Sequence, residues 1–243
     1  KILLGAVVQR GDLAMQERNK LLASMTDEVG ELVLNDNYRQ NQAISLMEAM
    51  SASRLGSFGH FIRTLESQGL LDRAIEFLPS DSELADRKSR GQGLTRPELA
   101  VLLSYDKIVI FNELLDSDVP EDPYLSKELV RYFPQPLQKK YEKSMQQHRL
   151  KREIIATAVT NSTINRMGAT FVHVIKEKTG QSASAITRAY AITRGAFKLR
   201  DMWTAIQALD NKVSASVQTS MLIEINRLAE QATLWFLRNG EHP

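Results

Sequence analysis

The stretch that most constrains the fold of this chain is residues 93–115, GLTRPELAVLLSYDKIVIFNELL. It opens on a helix start signal. Thr95 can cap the first turn, Pro97 stands where its missing N–H costs nothing, and Glu98 can reach back to complete a capping box. Beyond the cap, apolar residues fall on almost every side: Leu99, Val101, Leu102, Leu103, Tyr105, Ile108, Val109, Ile110, Phe111, Leu114 and Leu115. A helix apolar nearly all round belongs in the middle of a domain. Asp106 and Lys107 interrupt it and are expected to leave by the thinnest part of the wall. KIVIF, residues 107–111, has the composition of a strand, but it lies inside the helical register and is read as helix.

The surroundings of that helix are built the same way. Residues 14–50 read as two or three helices. One carries Met15, Asn19, Leu22 and Met25, a second starts at Thr26 and runs through Val29, Leu32, Val33 and Tyr38, and a third spans about Asn41 to Ser53. The next covers Phe58 to Gln68 and stops at Gly69. An apolar return through Leu70, Leu71, Ile75, Phe77 and Leu78 leads to a brief charged helix ending near Arg90, then the turn Gly91-Gln92-Gly93. After Leu115 the acidic, proline-bearing stretch 116–123 is the clearest loop and the one plausible subdomain break. Pro134 and Pro136 break a helix begun near Tyr124. Further helices follow at 137–145, 148–166, 170–178, 182–192, 202–209 and 214–238. No repeat of solenoid period is visible. The expected fold is all-α, ten to twelve helices around a buried central helix.

With 243 residues, 43% apolar and 25% charged, the chain has the composition of a globular protein rather than a disordered one. A net charge of +2 is too small to point to a polyanion partner. The absence of cysteine removes disulfides, thiolate zinc sites and cysteine nucleophiles, and is compatible with a reducing cytoplasm. No apolar run approaches the roughly 18–20 residues that span a bilayer. KILLGAVV at residues 1–8 superficially resembles a signal peptide, but it lacks an initiating Met and a small-residue cleavage site, and Gln9-Arg10-Gly11-Asp12 follows at once. The chain therefore reads as cut from something longer, beginning inside an element.

Motifs for chemistry are sparse. Arg90-Gly91-Gln92-Gly93 lacks the third glycine and the preceding strand of a dinucleotide loop, and reads as a helix end and restart. The four histidines, His60, His148, His173 and His242, are scattered, with no pair at helical spacing, so no metal site is assigned. The acids Glu113, Asp116, Asp118, Glu121 and Asp122 lack the spacing of a calcium loop and read as solvated. The basic run Lys139, Lys140, Lys143, His148, Arg149, Lys151 and Arg152 is interleaved with Glu142 and Glu153 and has no aromatic platform. It reads as a solvated or interface helix before a nucleic-acid surface. Thr157, Asn161 and Asn165 fall at i, i+4 and i+8 between Ile154, Ile155, Val159 and Ile164. Such a polar stripe either fixes internal packing or meets another domain, and with Arg149 and Arg152 it is the candidate interdomain contact.

Several stretches together resemble one family. They are QERNKLLASMTDEVGELVLNDNYRQNQAISL (16–46), LLDRAIEFLPSD (70–81), GLTRPELAVLLSYDKI (93–108), EDPYL (121–125), HRLKREIIATAVTNSTINRMGATFV (148–172) and LWFLRN (234–239). All are similar to the C-terminal region of the large bacterial NAD-specific glutamate dehydrogenases, in the expected order and over essentially the whole chain. Ser104-Tyr105-Asp106 departs from the family's smaller residues inside the central helix. The resemblance implies an enzyme that oxidises L-glutamate to 2-oxoglutarate and ammonia with NAD, working in the cytoplasm as a homo-oligomer whose catalytic core lies upstream. Residues 1–12 would be the exit from that domain and 13–243 a C-terminal helical domain. The family's catalytic lysine and aspartate and its nucleotide loop have no matching positions here, so no catalytic, cofactor-binding or metal residue is transferred. The expected partner is the upstream catalytic domain, with no nucleic acid and no membrane. The rival reading is a free-standing helical interaction or nucleic-acid-binding module.

Overall fold

The computed structural model describes residues 2–240, and among these every regular element is helical. Lys1 and the segment with His242 lie outside the described residues. The chain enters through α1 (Ile2–Gln9) and α2 (Met15–Ser24) and continues into α3 (Thr26–Ser67) and α4 (Asp81–Ser89). The anticipated central helix is α5 (Arg96–Leu115). A 3-10 turn (Val119–Glu121), α6 (Lys127–Tyr132) and α7 (Gln135–Gln146) lead to the second long core element, α8 (Lys151–Met167). The chain ends with α9 (Phe171–Thr179), α10 (Ala183–Ala196), α11 (Leu199–Gln207) and α12 (Ala215–Asn239). No described helix is long and apolar enough to cross a membrane.

The start of α5 follows its sequence. Glu98 folds back so that the Thr95 N–H donates to its Oε2 at 2.6 Å. The same carboxylate takes two bonds from Arg87 of α4, at 2.7 and 2.9 Å, so a local cap is locked by a neighbouring helix. Leu99, Leu102, Leu103, Ile110 and Leu114 are buried against α3, α8 and α10. One expectation for this helix is corrected. Asp106 does not leave by the wall: it is 1% exposed. The edge that does meet water is Ser104, Ile108 and Asn112, a stripe at steps of four. Ile108 is apolar, so composition alone made the wall look thinnest in the wrong place.

A larger correction concerns residues 26–67. The three helices expected there are one helix of 42 residues. The polar stretch at 35–37 does not break it, because those side chains bond along the helix instead of capping a turn. Asp36 accepts from Gln40 at 3.2 Å, and Asn41 donates to the Asn37 carbonyl at 3.1 Å. Gly59 lies beneath Leu84 of α4, which a Cβ would approach to 3.1 Å, so glycine serves packing there. The first half of α3 projects from the core: Val29, Leu32, Val33, Leu34 and Tyr38 are exposed, and its deep positions begin at Ala43. The apolar return at 70–78 is also only half inside. Leu71 and Leu78 are buried, but Ile75 is exposed and Phe77 stands out at 88% with φ +53°.

Pro134 separates α6 from α7 as expected, and KIVIF is helical. The core hub is shared, because α8 packs on α3, α5, α6, α10, α12 and the 3-10 turn. Beyond it α10 lies along α12, and α11 closes the end of that pair. The stretch 116–123 is not simply solvated. Val119 and Pro120 are buried, and Arg188 of α10 bonds Asp118 at 2.9 Å and Asp122 at 2.8 Å. Residues before and after this stretch belong to one continuous apolar core.

Candidate functional site

The five residues singled out for interdomain contact sit at different depths. Arg149 is exposed in the turn between α7 and α8. Arg152 is exposed as well but is tied down: it donates to the carbonyls of Leu115 and Ser117 at 2.6 and 3.1 Å and pairs with Glu121. It thus fastens the end of α5 to α8. Thr157 and Asn161 are half-buried along α8, and Asn165 is 3% exposed with an Oδ1 that has no partner. The stripe therefore sinks into the core toward its C-terminal end. Beside it lies a group that the sequence did not announce. Glu128 of α6, buried, accepts from Arg194 at 2.8 Å, Arg200 at 2.7 Å and Arg131 at 3.2 Å, and Arg194 also bonds Ser162 Oγ of α8 at 2.6 Å. These partners come from four helices, and the group ties α6, α8, α10 and α11 together.

A cleft of about 370 Å³ opens between α3, α5 and α9, and several ionisable groups line it. Its walls include Phe61, Leu65 and Ile110, with Asp106, Glu113, His173, Lys176 and Glu177 among them. The α8–α9 turn explains how α9 comes to lie there. Gly168 has φ +82°, its missing Cβ would stand 3.0 Å from Met47 Cγ, and the Ala169 N–H points at Met47 Sδ at 3.3 Å. The turn is thereby seated on α3, which brings His173 of α9 up to that helix. The His173 ring then meets both Phe61 and His60 of α3, each with centroids 5.2 Å apart.

Electrostatics in the cleft are uneven. Lys176 pairs with Glu113. Burial pushes the Asp106 carboxyl well above the usual carboxylate range. The Lys176 charge opposes that rise and Glu113 adds to it, and Oδ2 finds no hydrogen-bond partner. Burial also lowers the pKa of His173. The Glu177 carboxylate opposes this, while His60 and Lys176 reinforce it. His60 Nε2 meets Glu177 Oε1, and His173 Nε2 lies 3.6 Å from the same oxygen. The histidines are scattered by spacing but two of them are neighbours in space. Only the i, i+4 relation of His173 and Glu177 was visible in the sequence; the arrival of His60 depends on how α3 and α9 pack.

These geometries describe an all-helical structure with a buried charged cluster and a polar cleft, without an assembled dinucleotide fold among the described residues. Residues 91–243 match the family described as "Glutamate dehydrogenase, C-terminal", and the chain belongs to that family. Residues 1–47 match a second description, "Bacterial NAD-glutamate dehydrogenase, catalytic domain". The chain is 50% identical over 238 residues to an NAD-specific glutamate dehydrogenase of Halomonas elongata and 48% identical over 239 residues to one of Pseudomonas aeruginosa, covering 98% of this chain in both cases. A third relative, the NAD-specific glutamate dehydrogenase of Mycobacterium tuberculosis, is 33% identical over 243 residues. In each case the chain spans only 15% of the relative's length.

Proposed function

We propose that this chain is the C-terminal helical part of an NAD-dependent glutamate dehydrogenase whose complete polypeptide converts L-glutamate to 2-oxoglutarate and ammonia and passes the hydride to NAD. In this reading the chain carries no catalytic residue. It supports an upstream catalytic domain in the same polypeptide and the assembly of a cytoplasmic homo-oligomer.

One observation carries the reading. The catalytic-domain match ends at residue 47 and the C-terminal match begins at residue 91, and α3, running unbroken from Thr26 to Ser67, reaches from inside the first toward the second. A single helix is a stiff strut, so movement or misplacement on one side is carried to the other. The sequence reading sets residues 1–12 as the exit from the catalytic domain; the match to residue 47 favours counting the exposed first half of α3 with that side as well. Its apolar residues are then covered by the rest of the catalytic domain. Arg149, with Thr157 and Asn161 along the outer part of α8, adds a second contact, while Arg152 fastens α8 to the end of α5 at the surface and Asn165 is buried in the core.

The test uses three proteins: the complete gene product, a version ending before Lys1, and the present chain alone. Absorbance of NADH with glutamate reports turnover, and light scattering reports assembly. Turnover is expected only from the complete product, with the shortened version losing activity, assembly or thermal stability. Full retention of all three by the shortened version, or glutamate turnover by the isolated chain, overturns the proposal.

A further inference from the structure

We propose that His60, His173 and Glu177 form a binding site for a divalent transition-metal ion of the zinc class, clipping α9 to α3 at the mouth of the polar cleft. The three donor atoms all lie within 4.8 Å of one another. His173 and Glu177 stand one helical turn apart on α9, so both face one side, and His60 comes across from α3. For an ion bound at about 2.0–2.1 Å, tetrahedral ligands sit roughly 3.3 Å apart. The His173 Nε2 to Glu177 Oε1 separation of 3.6 Å is a few tenths of an ångström from that.

Ion pairing alone accounts poorly for the cluster. Glu177 can satisfy His60, but it leaves His173 Nε2 buried without a hydrogen-bond partner. A buried ring nitrogen in that state costs free energy unless something occupies it. An ion drawn between the three donors uses that nitrogen. The one lysine lining the cleft is already answered by Glu113. A second independent feature is Asp106, 1% exposed with an unpartnered oxygen, which lines the same cleft as His173 and Glu177. Two imidazoles and one carboxylate favour zinc and its neighbours over magnesium or calcium, which prefer all-oxygen shells. The proposal concerns a structural clip and stands apart from the assignment of the dehydrogenase reaction.

The experiment uses the complete gene product after removal of metals by chelation, with Co²⁺ as a spectroscopic probe and Zn²⁺ followed by calorimetry. His60 and Glu177 are both exposed, so His60→Ala and Glu177→Gln leave the fold intact; His148→Ala, remote in sequence and on a different turn, is the control. The parent and the control are expected to bind one more equivalent of ion per chain than His60→Ala, with visible Co²⁺ absorption that this variant lacks. Glu177→Gln is expected to weaken that equivalent at least about tenfold. Zinc should also raise the melting temperature of the parent and not that of His60→Ala. Any metal sites elsewhere in the polypeptide are common to all four proteins and cancel in the comparison. Equal stoichiometry and affinity in parent, His60→Ala and Glu177→Gln, or no binding by the parent at micromolar ion, overturns the proposal.

Discussion

Two carboxylates of α5 show how differently the same chemistry behaves at two depths. For Glu98, burial pushes its pKa up, but the Arg87 fork and the Thr95 backbone more than offset this and hold the group below the usual range. Asp106 has no such partners, and burial holds its proton. An unfolded Asp titrates near about 3.9. Above that pH the unfolded chain gives up the proton while the folded chain keeps it. Folding stability therefore falls as pH rises through the interval up to the raised folded value, and Asp106 exacts no such loss below about pH 4. Asp106→Asn removes the titration while keeping the shape. In chelator-treated protein, its stability relative to the parent should improve steadily as the pH rises from 5 to 8. Urea denaturation at the two pH values measures it, and an unchanged difference would show that Asp106 is ionised in the fold. Glu98 was readable from sequence because its first partner, Thr95, is three residues away. Asp106 was not, because its depth is set by α3 and α9, which lie far from it along the chain.

At the scale of elements, glycines separate what a helix tolerates from what a packing contact forbids. Gly56 is exposed inside α3, and a Cβ there would meet nothing within 4 Å. Gly56→Ala should therefore stabilise the domain by about 0.5–1 kcal/mol, the difference in helix propensity. Gly93 precedes the cap of α5 and presses on α3: an added Cβ would lie 2.4 Å from Ser51 Oγ and 2.6 Å from the Ala52 backbone nitrogen. That approach lets the Leu94 N–H reach Ser51 Oγ at 2.6 Å. Gly93→Ala should destabilise by about 1–3 kcal/mol, the range of overpacking. Melting curves decide both, and a shift of the same sign in the two variants would contradict this account of where α5 docks. The caps and proline breaks around α5, α6 and α7 were legible because their signals are local. The length of α3 was not. Its amphipathic pattern fades where it leaves the core, and a polar surface stretch at 35–37 looks like a boundary until its side chains are seen bonding along the helix.

For the whole molecule, the telling mismatch is that the apolar side chains of α3 outside the core are those inside the catalytic-domain match. Val33 and Leu34 are 56% and 69% exposed, in a helix whose inner half is well packed. Adjacent positions on a helix point about 100° apart, so together with Val29 and Leu32 they present a broad apolar surface rather than a single stray residue. If the rest of the catalytic domain covers it, burying each side chain contributes about 1.5–3 kcal/mol in the complete polypeptide and nothing in the present chain alone. The double substitution Val33→Gln and Leu34→Gln keeps helix propensity and removes the two most exposed members of that surface. In the isolated chain its effect on stability should stay within about 0.5 kcal/mol, as for ordinary surface changes. In the complete product it should loosen the junction. Limited proteolysis near α3 should become faster, and glutamate-dependent NADH formation should lose heat resistance before the chain as a whole unfolds. Equal behaviour of the variant and parent in the complete product would mean that another surface carries the interdomain contact, and the strut role given to α3 would fall with it.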